Sequence, residues 1–281
     1  MKERTISACI IIFIALLAVV LSEYIVYPIV LALLGVVALF EALRVVGVHD
    51  KTAIAVPAYL FALAFPVGAF FLTESNASYF LLALSGGMFV YLLLLMCVSV
   101  FSKGKTSFVC ISEAFVAVVY VTVSMTSLSL IRYIDRECGV WMVVLAFVIA
   151  WVTDTFAFAT GKLFGKHKLI PEISPKKTIE GAIGGVVVCI ILCLVYSYGL
   201  DVIFENITVN YWVVGICAIV LSVISQIGDL IASLLKREHG VKDYGTIFPG
   251  HGGVMDRFDS VFAISTILLI ICILFPPFAI K

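Results

Sequence analysis

Long apolar runs separated by short polar segments set the pattern of this sequence. A helix needs about 20 apolar residues to cross the hydrocarbon core of a bilayer, and nine runs approach or exceed that length. They cover residues 6–21, 24–43, 53–72, 79–101, 108–131, 141–161, 181–199, 209–235 and 258–276. We therefore predict an all-α fold, a polytopic membrane helical bundle with about nine transmembrane helices.

The composition supports a membrane environment. Of the 281 residues, 63% are hydrophobic and 13% are charged, whereas soluble domains carry about 25% charged residues. The 18 basic and 18 acidic residues cancel, so the net charge gives no sign of a nucleic-acid partner, and we predict none. The first apolar run is followed almost directly by the second, which indicates a pair of spans and not a cleavable signal peptide.

The basic residues lie almost entirely on alternate connecting segments. Fifteen of the 18 fall on the side that holds the amino-terminal tail, and Arg132, Arg136 and Lys281 fall on the other. Because basic loops stay in the cytoplasm, we predict a cytoplasmic N-terminus and an outward C-terminus. The polar segments 162–180 and 236–257 are then both cytoplasmic. The predicted location is the cell (inner or plasma) membrane, with the active site on its cytoplasmic side.

Chemistry-bearing residues concentrate in the second half of the chain. We predict that residues 1–140 form a lipid-facing scaffold and that residues 141–281 form the catalytic region. Glu41 and Glu113 lie in or near predicted spans and are interpreted as helix-end or interface charges. The eight cysteines form no C-x-x-C pair and are interpreted as small packing residues.

Asp154 lies inside an apolar run, where an ionisable group is costly and by default indicates function. The alternative is a structural carboxylate paired with a nearby basic residue. Farther along, Ser174 could cap a helix that Pro175 opens at its first turn. Lys176 and Lys177 would then stand beside free helix amides and form an anion site for phosphate. The alternative for these lysines is a topology signal or a patch for anionic lipids.

A third group of polar residues surrounds the last two predicted spans. Asp229, Ser233 and Lys236 are spaced to share one helix face, and this polar half of the eighth span should face protein or water. Asp256 and Asp259 share a face at the start of the last span.

Between these two groups, the glycine-rich turn at 249–253 allows close backbone approach to a ligand. Carboxylates converging with lysines and arginines suit Mg²⁺ and phosphoryl oxygens. The alternative is a salt-bridge network that binds no ligand.

Residues Ser233 to Asp259 match, without a gap, the pattern S-x-x-K-R-x-x-x-x-K-D-x-x-x-x-x-P-G-H-G-G-x-x-D-R-x-D. This stretch, the signature segment, resembles the phosphatidate cytidylyltransferase (CDP-diacylglycerol synthase) family. The S-P-K-K-T-x-E-G sequence at Ser174 to Gly181 and the F-G-K-H-K-L sequence before it resemble further family elements. The resemblance covers about residues 150–262. Family members commonly carry a Gly and a Tyr shortly after the intramembrane aspartate, where this chain has Phe156 and Phe158.

The resemblance implies the reaction of CTP with phosphatidate to give CDP-diacylglycerol and pyrophosphate, for phospholipid biosynthesis. It also implies Mg²⁺ held by Asp229 and Asp256, with a second cation, K⁺, beside it. The residues agree with such a reaction, because the lipid phosphate is itself the nucleophile and the protein needs only to position groups and neutralise charge.

The full set of predicted site residues follows from the motifs and the resemblance together. The predicted catalytic residues are Asp229, Asp256, Lys242 and Asp243. The predicted substrate-binding residues are Asp154, Ser174, Lys176, Lys177, Thr178, Ser233, Lys236, Arg237, His251, Arg257 and Asp259. The predicted metal ligands are Asp229 and Asp256.

Two other functions stay open at this point. A CTP-dependent transferase acting on another membrane lipid would use the same metal site. A secondary transporter would also place charges in its spans, but no repeat of two halves is visible in the sequence. Membrane lipids are expected partners, and the oligomeric state is open, with a homodimer as one option.

Overall fold

The computed structural model describes residues 19–248 and 252–281. Within these ranges it contains eight long helices, which the apolar runs produce because a helix satisfies its own backbone hydrogen bonds in lipid. They are α1 (Val26–Val46), α2 (Thr52–Gly68, extended by a 3₁₀ turn at Ala69–Phe71), α3 (Ala77–Phe101), α4 (Phe108–Ile134), α5 (Gly139–Phe164), α6 (Ile179–Ile203), α7 (Tyr211–Glu238) and α8 (Met255–Leu274).

Each of these helices is long and apolar enough to cross a membrane. The all-α, multi-pass prediction is confirmed for the described ranges, and each helix matches one predicted span to within a few residues. The predicted span 6–21 lies outside the described residues except for its last three positions.

Two small antiparallel sheets accompany the described helices, and the sequence pattern did not predict them. One pairs β1 (Lys168–Ile170) with β2 (Ser174–Thr178) in a hairpin between α5 and α6. The other pairs β3 (Ile207–Val209) with β4 (Phe278–Ile280), with Thr208 opposite Ala279. Strands this short carry too few residues for a periodic pattern.

The helices divide into two compact units. Unit 1 contains the chain through Tyr133 together with His239–Arg257, and unit 2 contains Ile134–Glu238 and Phe258–Lys281. The chain therefore leaves unit 2 at the end of α7, contributes the signature loop (residues 239–254) to unit 1, and returns along α8.

Unit 1 is held by apolar packing and a few buried polar contacts. The Tyr27 hydroxyl on α1 donates to the Leu128 carbonyl oxygen on α4 over 3.3 Å. The Tyr91 hydroxyl on α3 donates to the Ile54 carbonyl oxygen on α2 over 3.0 Å. Helix α1 ends at Gly47, whose φ of 80° places it in the left-handed region, where glycine is favoured.

Unit 2 is built around α6, which packs against both α5 and α7. The predicted inward-facing half of α7 is confirmed, since Ser222, Ser225 and Gln226 are buried. The Gln226 side-chain amide donates to the Ala182 carbonyl oxygen on α6 over 3.3 Å. The polar residues of this span therefore face protein.

The cysteines of the described ranges are free thiols, and most of them are buried. At the start of α5, burial together with the carboxylates of Asp135 and Glu137 raises the pKa of the Cys138 thiol to about 11. A thiol with this pKa stays protonated at neutral pH, which agrees with a packing role. Cys9 lies outside the described residues.

Candidate active site

The candidate site of unit 2 is a cavity of about 180 Å³ beside the β1–β2 hairpin. Its wall has a charged part and an apolar part. The residues that line it are Asp154, Ala157, Phe158, Leu169, Lys176, Lys177, Thr178, Ala182, Gln226 and Asp229. Five of these were predicted site residues. A cavity with this lining suits the junction between a charged headgroup and an apolar tail.

Asp229 and Lys177 form the central ion pair of this cavity. The Lys177 ammonium lies 2.7 Å from the Asp229 carboxylate, and both side chains are about a quarter to a third exposed, at 24% and 30%. The same ammonium donates to the Gln226 carbonyl oxygen over 3.4 Å. On α7, the Ser233 hydroxyl donates to Asp229 over 3.3 Å, which confirms that these two residues share a helix face.

A buried carboxylate of unit 2 interacts with two others. Asp259 on α8 is 5% exposed and interacts with the charges of Asp229, Asp154 and Lys236. The hydroxyl of Ser260 donates to Asp154 over 2.8 Å, and the amide of Ser260 donates to Asp259 over 2.7 Å. Helices α5, α7 and α8 therefore bring three aspartate side chains to one part of unit 2.

The predicted cap at Ser174 is wrong. Ser174–Thr178 is strand β2, and helix α6 begins at Ile179. Thr178 is the residue before the helix, and its hydroxyl accepts the Gly181 amide over 3.1 Å. The φ of proline suits an extended chain as well as a first helical turn, and pairing with β1 decided between the two.

This correction changes the geometry of the lysine pair. Successive side chains of a strand point to opposite faces, so Lys176 and Lys177 do not stand together at a helix start. Lys176 is exposed and Lys177 is half-buried, with its ammonium on Asp229. Arg237 lies near the same hairpin and donates to the Ile173 carbonyl oxygen over 3.4 Å.

In unit 1 two backbone amides of the signature loop bind the carboxylate of Asp256. One oxygen of Asp256 accepts the amides of Tyr244, over 2.8 Å, and Gly253, over 2.9 Å. Gly252 has a φ of 80°, and a Cβ added there would lie 2.6 Å from that same oxygen. Asp256 lies at the start of α8 and is 9% exposed. The two backbone amides that precede the helix therefore fix its orientation.

The remaining predicted residues of the signature segment differ in exposure. Lys242, Asp243 and Arg257 are exposed, while Lys236 is only 9% exposed. His251 lies outside the described residues.

Glu41 is the functional candidate that the sequence interpretation missed. The sequence interpretation makes it a helix-end or interface charge, yet it is 1% exposed and accepts the amide of Met255 over 2.9 Å. The available signal was a lone carboxylate in an apolar run, the same signal that singled out Asp154.

A profile of the cytidylyltransferase family matches residues 2–275 of the chain. The chain is 34% identical to the phosphatidate cytidylyltransferase of Staphylococcus epidermidis (strain RP62A) over 273 residues, which is 97% of this chain and 99% of the relative. It is 40% identical to the phosphatidate cytidylyltransferase of Staphylococcus haemolyticus over 180 residues, 64% of this chain and 66% of the relative. It is 41% identical to that of Staphylococcus aureus (strain COL) over 175 residues, 62% of this chain and 64% of the relative. With a match over nearly its whole length, this chain belongs to the cytidylyltransferase family.

Proposed function

We propose that this chain transfers the cytidylyl group of CTP to phosphatidate and so makes CDP-diacylglycerol and pyrophosphate for phospholipid synthesis. The observation that carries the proposal is the cavity of unit 2, which joins a charged wall at Lys177 and Asp229 to an apolar wall at Phe158 and Leu169. Phosphatidate has this same division between its phosphate and its acyl chains. The names of the similar staphylococcal proteins support the same reaction.

The proposed reaction needs no protein nucleophile. An oxygen of the phosphatidate phosphate attacks the α-phosphorus of CTP, a new P–O bond forms, and the bond between the α-phosphorus and the bridging oxygen breaks. Pyrophosphate leaves with that oxygen. The protein then has to align two polyanions and offset their charge. Lys177 suits this task because it lines the cavity and its ammonium is held 2.7 Å from the Asp229 carboxylate.

Four further basic residues are predicted to bind substrate. Lys176, Arg237, Lys242 and Arg257 are exposed and in our proposal contact the phosphates of the two substrates. Lys236 is nearly buried and interacts electrostatically with Asp259. Thr178 and Ser174 belong to the strand and cap beside the cavity, and Ser233 orients Asp229.

The donor set fits a divalent cation. Carboxylates, water and substrate phosphates are the oxygen ligands that Mg²⁺ prefers, and Asp229 presents such a carboxylate at the wall of the cavity. Within the described ranges, no cluster of three or more His, Cys, Asp or Glu side chains suited to a metal is present. In our proposal the shell consists of two carboxylates with water and phosphate oxygens.

In that shell Asp229 and Asp256 would hold the Mg²⁺, which supplies charge stabilisation for the phosphoryl oxygens. Ser233 and the amides around Asp256 orient the two carboxylates. A second cation, K⁺, beside the Mg²⁺ stays a prediction.

The proposed function is tested by following pyrophosphate release from CTP with the purified protein in detergent micelles. We expect release only when Mg²⁺, CTP and a short-chain phosphatidate are all present. Asp229→Asn and Asp256→Asn should each lower turnover by about 100-fold or more, because each removes a charge that holds the cation.

Asp135→Asn is the matched control. Asp135 accepts the amides of Glu137 and Cys138, both over 2.9 Å, outside the cavity, so this variant should keep its turnover. Pyrophosphate release with a polyprenyl phosphate, and none with phosphatidate, would mean that the lipid substrate is different while the cytidylyl transfer is the same. No release with any lipid phosphate, from folded protein, would overturn the proposed function.

A further inference from the structure

Glu41 of α1 is the only charged side chain of the described residues with an exposed fraction as low as 1%. Its carboxylate lies against the signature loop, within unit 1. The amide of Met255 donates to Glu41 Oε2 over 2.9 Å, and the amide of Val254 is a further donor. Met255 is the first residue of α8, and helix-starting amides have no acceptor inside their own helix. Glu41 therefore supplies, from a distant helix, the acceptor that the start of α8 lacks.

Helix α1 makes a second contact with the signature loop. One turn after Glu41, the Arg44 guanidinium donates to the Tyr244 carbonyl oxygen over 2.5 Å. The amide of the same Tyr244 donates to Asp256, and Tyr244 is fully buried. The amides of Tyr244 and Gly253 orient Asp256. Helix α1 binds the carbonyl oxygen of Tyr244 and the amide of the residue that follows Gly253.

Two glycines of the loop fit this contact. A Cβ added at Gly245 would lie 1.9 Å from Glu41 Oε1, and one added at Gly253 would lie 2.2 Å from both carboxylate oxygens. Neither distance is possible for a real Cβ, so any side chain at either position would push Glu41 and the loop apart. The loop sequence is therefore matched to a carboxylate that approaches its backbone closely.

We propose that Glu41 is a positioning residue, which fixes the backbone of residues 253–255 and through it the carboxylate of Asp256. The proposal rests on the proposed function, in which Asp256 holds the metal. Glu41 itself touches neither substrate nor metal in this proposal. Removing it leaves the buried amides of Val254 and Met255 without an acceptor, and such groups are costly to leave unpaired. The start of α8 would then loosen, and Asp256 would lose its fixed direction.

The first experiment measures hydrogen exchange of the peptide that contains residues 252–256, by mass spectrometry of the full chain in detergent. Glu41→Ala should speed the exchange of this peptide, and Glu41→Gln, which keeps an acceptor oxygen of the same reach, should stay closer to the wild type. The exposed Glu74 provides the control Glu74→Ala, which should leave the exchange unchanged.

The second experiment measures Mn²⁺ binding by electron paramagnetic resonance without nucleotide or lipid. Groups that orient a metal ligand typically contribute 10- to 100-fold to metal affinity, so Glu41→Ala should weaken Mn²⁺ binding by about that factor. Glu41→Gln should weaken it less. In the proposed reaction the same change should lower kcat more than it raises KM for CTP, since no substrate contact is lost.

Gly253→Ala keeps the proposal testable if Glu41→Ala does not fold. Gly253→Ala alone should disturb the peptide, because its Cβ meets the carboxylate. In a Glu41→Gln background, which retains the same bulk, that disturbance should persist. Wild-type exchange and wild-type Mn²⁺ affinity in folded Gly253→Ala protein would overturn the positioning role.

The outcomes separate this proposal from the function on which it rests. Folded Glu41→Ala protein with wild-type exchange and wild-type Mn²⁺ affinity would overturn the positioning role. Faster exchange in Glu41→Ala, combined with no Mn²⁺ binding and no pyrophosphate release by the wild-type protein, would keep the contact but overturn the metal site and the proposed function.

Discussion

At the scale of single residues, the site depends on which neighbour each charge finds. Lys176 and Lys177 are adjacent in sequence and both line the cavity, but they differ in exposure and in ion pairing. Lys177 reaches Asp229 at 2.7 Å, whereas Lys176 is exposed. In the proposed reaction the half-buried lysine would therefore matter more than its exposed neighbour.

We predict that Lys177→Ala lowers kcat/KM for CTP or phosphatidate by about 10- to 100-fold, the worth of a hydrogen bond to a charged group. Lys176→Ala should lower it by less than about fivefold, because exposed charges contribute about 1 kcal/mol or less. The control is Lys105→Ala, an exposed lysine of unit 1, which should have no effect. Equal losses for the two neighbouring lysines would contradict the leading role given to the Lys177–Asp229 ion pair. Steady-state kinetics in matched detergent decide the question.

At the scale of elements, the contact between α5 and α6 depends on small residues. A Cβ added at Gly185 of α6 would lie 2.9 Å from the Thr153 carbonyl oxygen and 3.0 Å from the Ala157 Cβ, both on α5. Small residues let membrane helices approach closely, so that van der Waals packing replaces the missing hydrophobic drive. The same close approach brings Asp154 of α5 beside the cavity.

We predict that Gly185→Ala lowers the melting temperature of the detergent-solubilised protein, because a backbone carbonyl opposite the new methyl group must shift. Gly199→Ala is the matched control on the same helix, since a Cβ there meets nothing within 4 Å. That change should leave the melting temperature unchanged or raise it slightly, as alanine favours helix over glycine by about 1 kcal/mol. A lower melting temperature for Gly199→Ala than for Gly185→Ala would contradict the close packing of α5 and α6 at Gly185.

At the scale of the whole molecule, the chain is a multi-pass membrane protein with eight membrane-length helices in its described part. Its basic residues alternate between connecting segments in a way that predicts which ends face the cytoplasm. The β1–β2 hairpin and the signature loop both carry the predicted cytoplasmic charges. CTP is a soluble polyanion, so the proposed reaction requires these segments on the side where CTP is present.

We predict that a reporter fused after Lys281 reports the outer side and that one inserted in segment 162–180 reports the cytoplasm. The physical reason is that 15 of the 18 basic residues lie on the predicted inner side. Paired alkaline phosphatase and green fluorescent protein fusions give opposite signals on the two sides and measure this directly. The same side for both positions would remove the nine-span topology.

The sequence alone determined the membrane class, the helix positions and the family, because each depends on composition or on residues close together in the chain. A run of apolar residues forms a helix in lipid wherever it lies, and the signature segment is contiguous from Ser233 to Asp259. The link between Asp229 and Ser233 also followed, since helix geometry fixes neighbours four residues apart.

Only the tertiary structure decided what each polar residue contacts. Thr178, and not Ser174, caps α6, because the strand from Ser174 to Thr178 pairs with β1. Lys177 pairs with Asp229, 52 positions away on α7. Glu41 accepts an amide 214 positions away, a partner that no spacing rule could indicate. Hydrogen bonds and ion pairs act over about 3 Å in space, so distant residues become partners only when the helices that carry them are packed.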